Sequence, residues 1–311
     1  MLSRRLIRIK TLQALYSYKQ QESDQVQKGK EQLLEQLFQF EAYYLFLLQF
    51  PAAFRDFLNS EADLERQKFF PDKDHIRQCL VLNNNGLAST LEETVAKSGR
   101  SSAFSWDQAA GSFDALWSDL KNQDFVRDYL VFDKPDFAMQ QEFLLQLMDY
   151  LMNASEFFND LMEELYPAWY DDEQQLWRVV YKTLEAAKGD QVNLAATMRK
   201  TDDEIEFSTN LFALVCNRED ALEAHIKKAS SNWDTERIAL VDMVIMKMAI
   251  AEFLFFPHIP PKVSINEYLE IAKEYSTPNS SRFINGILDK LRISLQEEGL
   301  MQKIGRGLRE S

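Results

Sequence analysis

Apolar residues recur at three- and four-residue spacing along most of this chain, the period of a helix buried on one side. Over 3–20, Leu6, Ile9, Leu12, Leu15 and Tyr16 set that rhythm, and Ser3 can cap the start. A polar stretch at 20–30 interrupts it. Helices are then expected at 30–48, 51–69 and 73–82, with NNNG at 83–86 as a turn and KSGRSSAFS at 97–105 as a loop. Further helices are expected at 106–132, at 136–164 after Pro135, and at 173–188, past a break at YPAWYDD, 166–172. No fixed-period repeat is present.

The last third is more regular. Residues 202–228 carry Ile205, Leu211, Phe212, Val215, Leu222 and Ile226 on one face. WDTERIALVDMVIMKMAIAEFLFF, 233–256, is apolar all round and reads as a central buried helix that Asp234 can cap. PHIPPK, 257–262, breaks the chain. In VSINEYLEIAKEY, Ser264 and Glu267 have capping-box spacing, and Ile265, Tyr268, Leu269 and Ala272 share a face. STPNSS, 276–281, ends that helix and caps the next, whose core stripe is Phe283, Ile284, Ile287, Leu288 and Leu291. Gly286 inside that helix costs about 1 kcal/mol relative to Ala and implies close approach of another backbone.

Composition narrows the class to all-α. The 311 residues include only 9 Gly and 8 Pro, too few turn formers for a sandwich or a doubly wound sheet. A 46% hydrophobic content is enough for a buried core. Cys79 and Cys216 are far apart and read as reduced thiols. The longest apolar run, Ile238 to Phe256, is interrupted by Asp242, Lys247 and Glu252, so it reads as a core helix and no membrane span is expected. Arg8 and Lys10 interrupt any signal-peptide core. A transit peptide shares the basic, acid-poor start, but the expected location is the cytoplasm.

Charge is unevenly placed. The chain holds 35 basic and 49 acidic residues, net -14. Residues 1–20 have five basic side chains and no acid; 201–311 have 13 basic and 18 acidic; 21–200 have 17 and 31, the whole excess. The middle repels polyanions and the N-terminus attracts them. Cations in the first turns oppose the helix dipole. Helix stability therefore does not explain Arg4, Arg5 and Arg8; a phosphate partner would.

Catalytic chemistry finds no carrier. His75, His225 and His258 are isolated and lack zinc-site spacing. No phosphate loop, nucleophile elbow or dinucleotide fingerprint occurs. The acid clusters at 171–173 and 202–204 sit at expected helix starts, where they favour the dipole. No catalytic residue, metal or cofactor is expected.

Three successive motifs resemble the NusB family of bacterial transcription antitermination factors. They are the stretch with Trp233, Arg237, Asp242 and Glu252; the Val-x-Ile-Asn-Glu of Val263, Ile265, Asn266 and Glu267; and the run Phe283, Ile284, Asn285, Gly286. The Arg-rich start leading to Leu15-Tyr16 is similar to the family's first helix. The resemblance covers 1–20 and 200–298 and implies a NusB-like helical bundle, with 21–200 as an acidic, mostly helical expansion and 299–311 as a flexible basic tail carrying Lys303, Arg306 and Arg309. It further implies binding of boxA-type single-stranded RNA of ribosomal RNA leaders jointly with the ribosomal protein NusE, within the RNA polymerase antitermination complex. Homodimerisation is known in the family.

The implied RNA contacts are Arg4, Arg5, Arg8, Lys10, Tyr16, Ser281, Arg282 and Phe283. An aromatic can stack on an unpaired base, and a helix start can bind phosphate. Tyr16 and Phe283 read equally as core aromatics, and Lys19 as solvated. Asn279 stands where many family members carry an acid. Asp242 and Glu252 read either as NusE contacts or as internal ion pairs, and Asn266 and Asn285 as buried hydrogen-bonding groups. Two rival functions are an enzyme and a scaffold. The same helical domain precedes a cofactor-binding domain in some ribosomal-RNA cytosine methyltransferases, but the sequence ends at Ser311, so no enzyme is expected. A scaffold would work through its acidic expansion, with weak or no RNA binding.

Overall fold

The structure is a computed structural model that describes residues 4–22, 24–102, 104–106, 113–132, 134–189, 191–195, 202–230 and 238–308. Ser3, Trp233, Asp234, Arg237 and Arg309 lie outside the described residues. The α-helices are α1 (Arg4–Gln20), α2 (Val26–Arg66), α3 (Lys73–Cys79), α4 (Gly86–Lys97), α5 (Phe113–Leu120), α6 (Asp124–Leu130), α7 (Phe137–Asn153), α8 (Glu156–Leu165), α9 (Trp169–Glu185), α10 (Asp202–Asn217), α11 (Glu219–Ala229), α12 (Leu240–Phe255), α13 (Pro261–Tyr275) and α14 (Ser280–Glu297). Among the described residues there is no strand beyond one isolated bridge, Lys188 to Gln191. No described helix is long and apolar enough to cross a membrane.

Several boundaries differ from the periodicity. The helices expected at 30–48 and 51–69 are one 41-residue helix with Pro51 inside it. A proline there removes one ladder hydrogen bond and crowds the preceding turn, about 3 kcal/mol. Leu47, Leu48, Phe50 and Phe54 are all buried around it. Each such side chain contributes about 1.5–3 kcal/mol, so packing carries the helix through. Conversely, 136–164 is two helices, because Ser155 accepts from the Phe158 amide and caps α8. Asn85 of the NNNG turn likewise caps α4.

Two compact units result: residues 1–37 with 197–311, and residues 38–196. Helix α2 contributes to both. The second unit holds 27 acidic and 13 basic residues, the first 22 of each, so the whole net charge of -14 belongs to the second. That unit is built on aromatic packing along α2. Phe46 stacks on Trp106 at 4.0 Å between centroids, and Tyr43 on Tyr166 at 3.8 Å. The loop at 98–106 is pinned by Arg100, which pairs with Glu41 at 2.6 Å and donates to the Ala195 carbonyl at 2.9 Å.

In the first unit α12 is central, with α1, α10, α11, α13 and α14 all packed on it. Every residue from Asp242 to Phe253 is buried. Arg8 of α1 is only 2% exposed and Glu252 of α12 is fully buried. Arg8 grips that carboxylate with Nε to Oε1 at 2.7 Å and Nη2 to Oε2 at 2.9 Å. The Ser264 hydroxyl donates to Oε2 at 2.6 Å and the Tyr268 hydroxyl to Oε1 at 2.7 Å. The four hydrogen bonds use both oxygens fully. Burial and then the Glu252 charge push the Tyr268 phenol far above its ordinary range, so it remains a donor. Burial alone would lower Arg8, but the charge and hydrogen bonds of Glu252 hold it above its ordinary value.

Ser264 therefore does not cap a helix. Helix α13 starts earlier, at Pro261, and Ser264 lies buried a turn inside it. Of the segment after α14, the described residues from Lys303 to Leu308 are docked. The Lys303 ammonium donates to the carbonyls of Glu252 and Phe256, both at 3.0 Å, closing the end of α12. The Ile304 amide donates to the Pro257 carbonyl at 3.1 Å. The 3-10 turn Gly305–Leu308 follows, and a Cβ on Gly307 would stand 2.1 Å from the Pro257 oxygen. Gly286 meets open space, contrary to the expected close approach. Gly307 is the glycine that meets another backbone, and Gly29 is closed in by a side chain: a Cβ there would fall 2.5 Å from the Phe212 ring.

Three outcomes follow from these contacts. Arg8→Met or Glu252→Gln alone should each lower the unfolding free energy by about 3–5 kcal/mol, since each strands a buried charge or breaks its bonds. The double variant Arg8→Met with Glu252→Leu should lose less than the sum in urea titrations; additive losses would mean the pair is not coupled. Gly29→Ala should destabilise by about 1–3 kcal/mol, while Gly286→Ala should be neutral or stabilise by up to about 1 kcal/mol; the reverse order would refute the packing described. Burial lowers Lys303 from 10.5 to about 8 against the pull of Glu252. Between those values the unfolded chain holds a proton that the folded chain has released, so stability should rise with pH across that window. A pH series of Tm should show the rise, and Lys303→Met should flatten it.

Candidate nucleic-acid interface

Helix α1 is surrounded by α10, α12 and α13, so most of its basic residues do not face solvent. Arg8 and Lys10 are both buried, which corrects their expected place on an RNA-facing surface. Arg5 is half-exposed and grips Glu267 of α13 with Nε to Oε2 at 2.9 Å and Nη2 to Oε1 at 3.0 Å. Those hydrogen bonds raise Arg5 above its ordinary value despite partial burial. Lys19 pairs with Glu219, so it is not merely solvated.

Two groups of α1 do reach the surface. Arg4 is exposed, and its guanidinium lies over the Phe207 ring of α10 at 5.8 Å. Among the described residues it pairs with no carboxylate. Tyr16 is 39% exposed, with its hydroxyl accepting from the Gln20 amide at 3.2 Å, so its ring is not part of the core.

The start of α14 offers a second set. Asn279 occupies the cap position without a side-chain cap bond, and the Thr277 and Ser280 hydroxyls bond one another at 2.8 Å. Ser280 is buried, Ser281 and Phe283 are half-buried, and Arg282 is exposed. Arg282 has no carboxylate partner among the described residues. Helices α1 and α14 both pack on α12, and both touch α13.

The two acids expected to meet a protein partner are internal. Glu252 is enclosed by Arg8, Ser264 and Tyr268. Asp242 is buried and accepts from the Ser276 hydroxyl at 2.5 Å, tying the start of α12 to the end of α13. Desolvated and satisfied within the fold, neither carboxylate is presented to another chain. Lys247, between them on α12, is also buried and pairs with Glu219 and Glu223 of α11, each at 2.9 Å. Of the tail cations, Lys303 is engaged as above; the side chain of Arg306 lies outside the described residues.

Periodicity and spacing did not reveal Arg218 or Phe207. Arg218 is exposed just before α11, with its guanidinium over the Phe255 ring at 4.8 Å. Nothing in its sequence context separates it from an ordinary solvated arginine.

A family model described as the NusB family matches residues 171–292. The match begins in α9, earlier than the motifs at 200, and includes Glu252, Glu267 and Phe283 but not α1. The transcription antitermination protein NusB of Salinibacter ruber is 35% identical over 142 residues, 44% of this chain and 89% of that protein. The one from Desulfatibacillum aliphaticivorans is 40% identical over 101 residues, 32% of this chain and 71% of that protein. That of Chloroherpeton thalassium is 49% identical over 87 residues, 28% of this chain, and the match spans only 41% of that protein. With more than a third of the aligned positions identical across nearly nine-tenths of the Salinibacter ruber protein, the chain belongs to the NusB family, a family of transcription antitermination factors.

Proposed function

We propose that the chain is a cytoplasmic, non-enzymatic antitermination and ribosomal-RNA biogenesis factor. It binds boxA-type single-stranded RNA jointly with the ribosomal protein NusE, in the RNA polymerase antitermination complex. The observation that carries this reading is Arg4: an exposed cation without a carboxylate partner among the described residues, set on an aromatic ring at the start of α1. Nearby chemistry supports it. Arg282 supplies a second exposed cation, and Tyr16 and Phe283 supply rings that a base can stack on. Arg5 can exchange Glu267 for a phosphate. With Asp242 and Glu252 internal, NusE would be met by other residues of the first unit. Self-association through the same surface would compete with RNA.

A second reading, a scaffold acting through the acidic unit, draws on one observation. That unit holds the entire net charge and leaves Phe69 and Phe70 exposed at 90% and 85%. A basic partner with an apolar clamp would suit it.

Binding of boxA-type and scrambled single-stranded RNA, with and without NusE, across a salt series tests the first reading. Two or three phosphate contacts predict a log–log slope of about -1.4 to -2. Arg4→Ala with Arg282→Ala should weaken boxA binding and flatten that slope, without the loss of stability that a change at Arg8 brings. Equal binding of both RNAs under every condition, with NusE still bound, would leave the scaffold as the function.

A further inference from the structure

The first unit carries a feature that the α1 and α14 surfaces do not use. Helix α12 ends at Phe255, and Pro257 prevents its continuation. Phe255 and Phe256 stay half-buried and line an open trough of about 600 Å³ against the last turns of α10. Asn210 and Asn217 stand exposed on its other wall, and Arg218 lies at its end, face-on to Phe255.

Arg218 is not neutralised. The acid next to it, Glu219, is taken by Lys19 and Lys247, and Arg218 itself pairs with no carboxylate among the described residues. An arginine on an aromatic face, beside the Asn217 amide, which can donate and accept, matches the chemistry of an unpaired nucleotide; the Asn210 amide already donates to Glu206 at 3.3 Å. The volume falls within the range of a small-ligand cleft. Ala213 and Leu214 complete the lining, so it is the exposed cation and the amides that favour a nucleotide over an apolar peptide.

The trough is linked to the start of α1 by ring contacts through the buried Phe207. Phe256 meets Phe207 edge-on at 5.1 Å, and Phe207 is the ring beneath Arg4. Two exposed arginines thus stand at the two ends of one run of phenylalanines. We propose that this trough is an additional RNA subsite. Phe256 takes one unpaired base, Asn217 meets its edge, and Arg218, seated on Phe255, holds the adjoining phosphate, extending the path of the RNA held at Arg4. The inference rests on the RNA-binding reading above, and adds to it a footprint longer than the boxA-type element itself.

The test uses the full chain and fluorescence anisotropy with a short boxA-type RNA and the same RNA lengthened by a uridine tail at either end. The wild type should bind one lengthened RNA more tightly than the short one. Arg218→Gln should remove that gain, roughly tenfold, and reduce the salt slope on the longer RNA by about 0.7. A photoreactive uridine in the tail should crosslink to Phe256. Arg4→Ala should weaken both RNAs. If Arg218→Gln binds both as the wild type does while Arg4→Ala weakens both, the subsite is refuted and the RNA-binding reading stands. If the wild type prefers neither RNA over a scrambled one, both fail. If Arg218→Gln impairs NusE capture with RNA binding intact, the trough is a protein site and the proposal is overturned.

Discussion

The first helix and the central helix of the first unit are joined by a guanidinium and a carboxylate almost wholly withdrawn from solvent. Each ion gives up several kcal/mol of hydration on burial. The Arg8–Glu252 pair offsets this because its geometry is bidentate and two hydroxyls complete the carboxylate's shell. Its consequence is positional. Helix α12 is buried on every side, and apolar burial is not directional. Hydrophobicity alone gives such a helix no preferred rotation. The three charges on α12 supply one: Asp242 turns to the end of α13, Lys247 to α11, and Glu252 to α1 and α13. Each charge turns to its own partners, so the register of the bundle is set by polar groups inside an apolar contact.

This internal use of charge shapes the surface. In the first unit acids and bases are equal in number, and many of its cations already have partners. What is left for a polyanion is a small set: the arginines Arg4, Arg282 and Arg218 and the lysines Lys28 and Lys262, each exposed and without a carboxylate partner among the described residues. Two of the three arginines lie on phenylalanine rings. RNA recognition on such a unit would depend on stacking and on a few phosphate contacts, not on a broad positive field.

The same distinction explains where local reasoning failed. Pro51 marks a helix start by rule, yet the surrounding aromatic burial outweighs the lost hydrogen bond. Ser264 and Glu267 have the spacing of a cap, but the helix begins a turn earlier, and their side chains serve Glu252 and Arg5 instead. Gly286 looks like a packing glycine and faces open space, whereas Gly29, in a polar stretch with no visible pattern, sits against Phe212. Spacing along one helix identifies which residues share a face. It carries no information on what that face meets.

From the sequence alone, the scarcity of glycine and proline and the helical period establish an all-α chain. The run 233–256 announces a buried helix, the acidic excess is assigned to the middle, and the motifs around Glu252, Glu267 and Phe283 point to the NusB family. These properties are local or additive, so one dimension contains them. Tertiary structure alone decided the fate of the charges. Arg8 and Arg4 are one helical turn apart and similar in every local respect, yet one is sealed against a carboxylate 244 residues away and the other is exposed on Phe207. Desolvation depends on everything packed around a group, and that neighbourhood exists only once the chain has closed on itself.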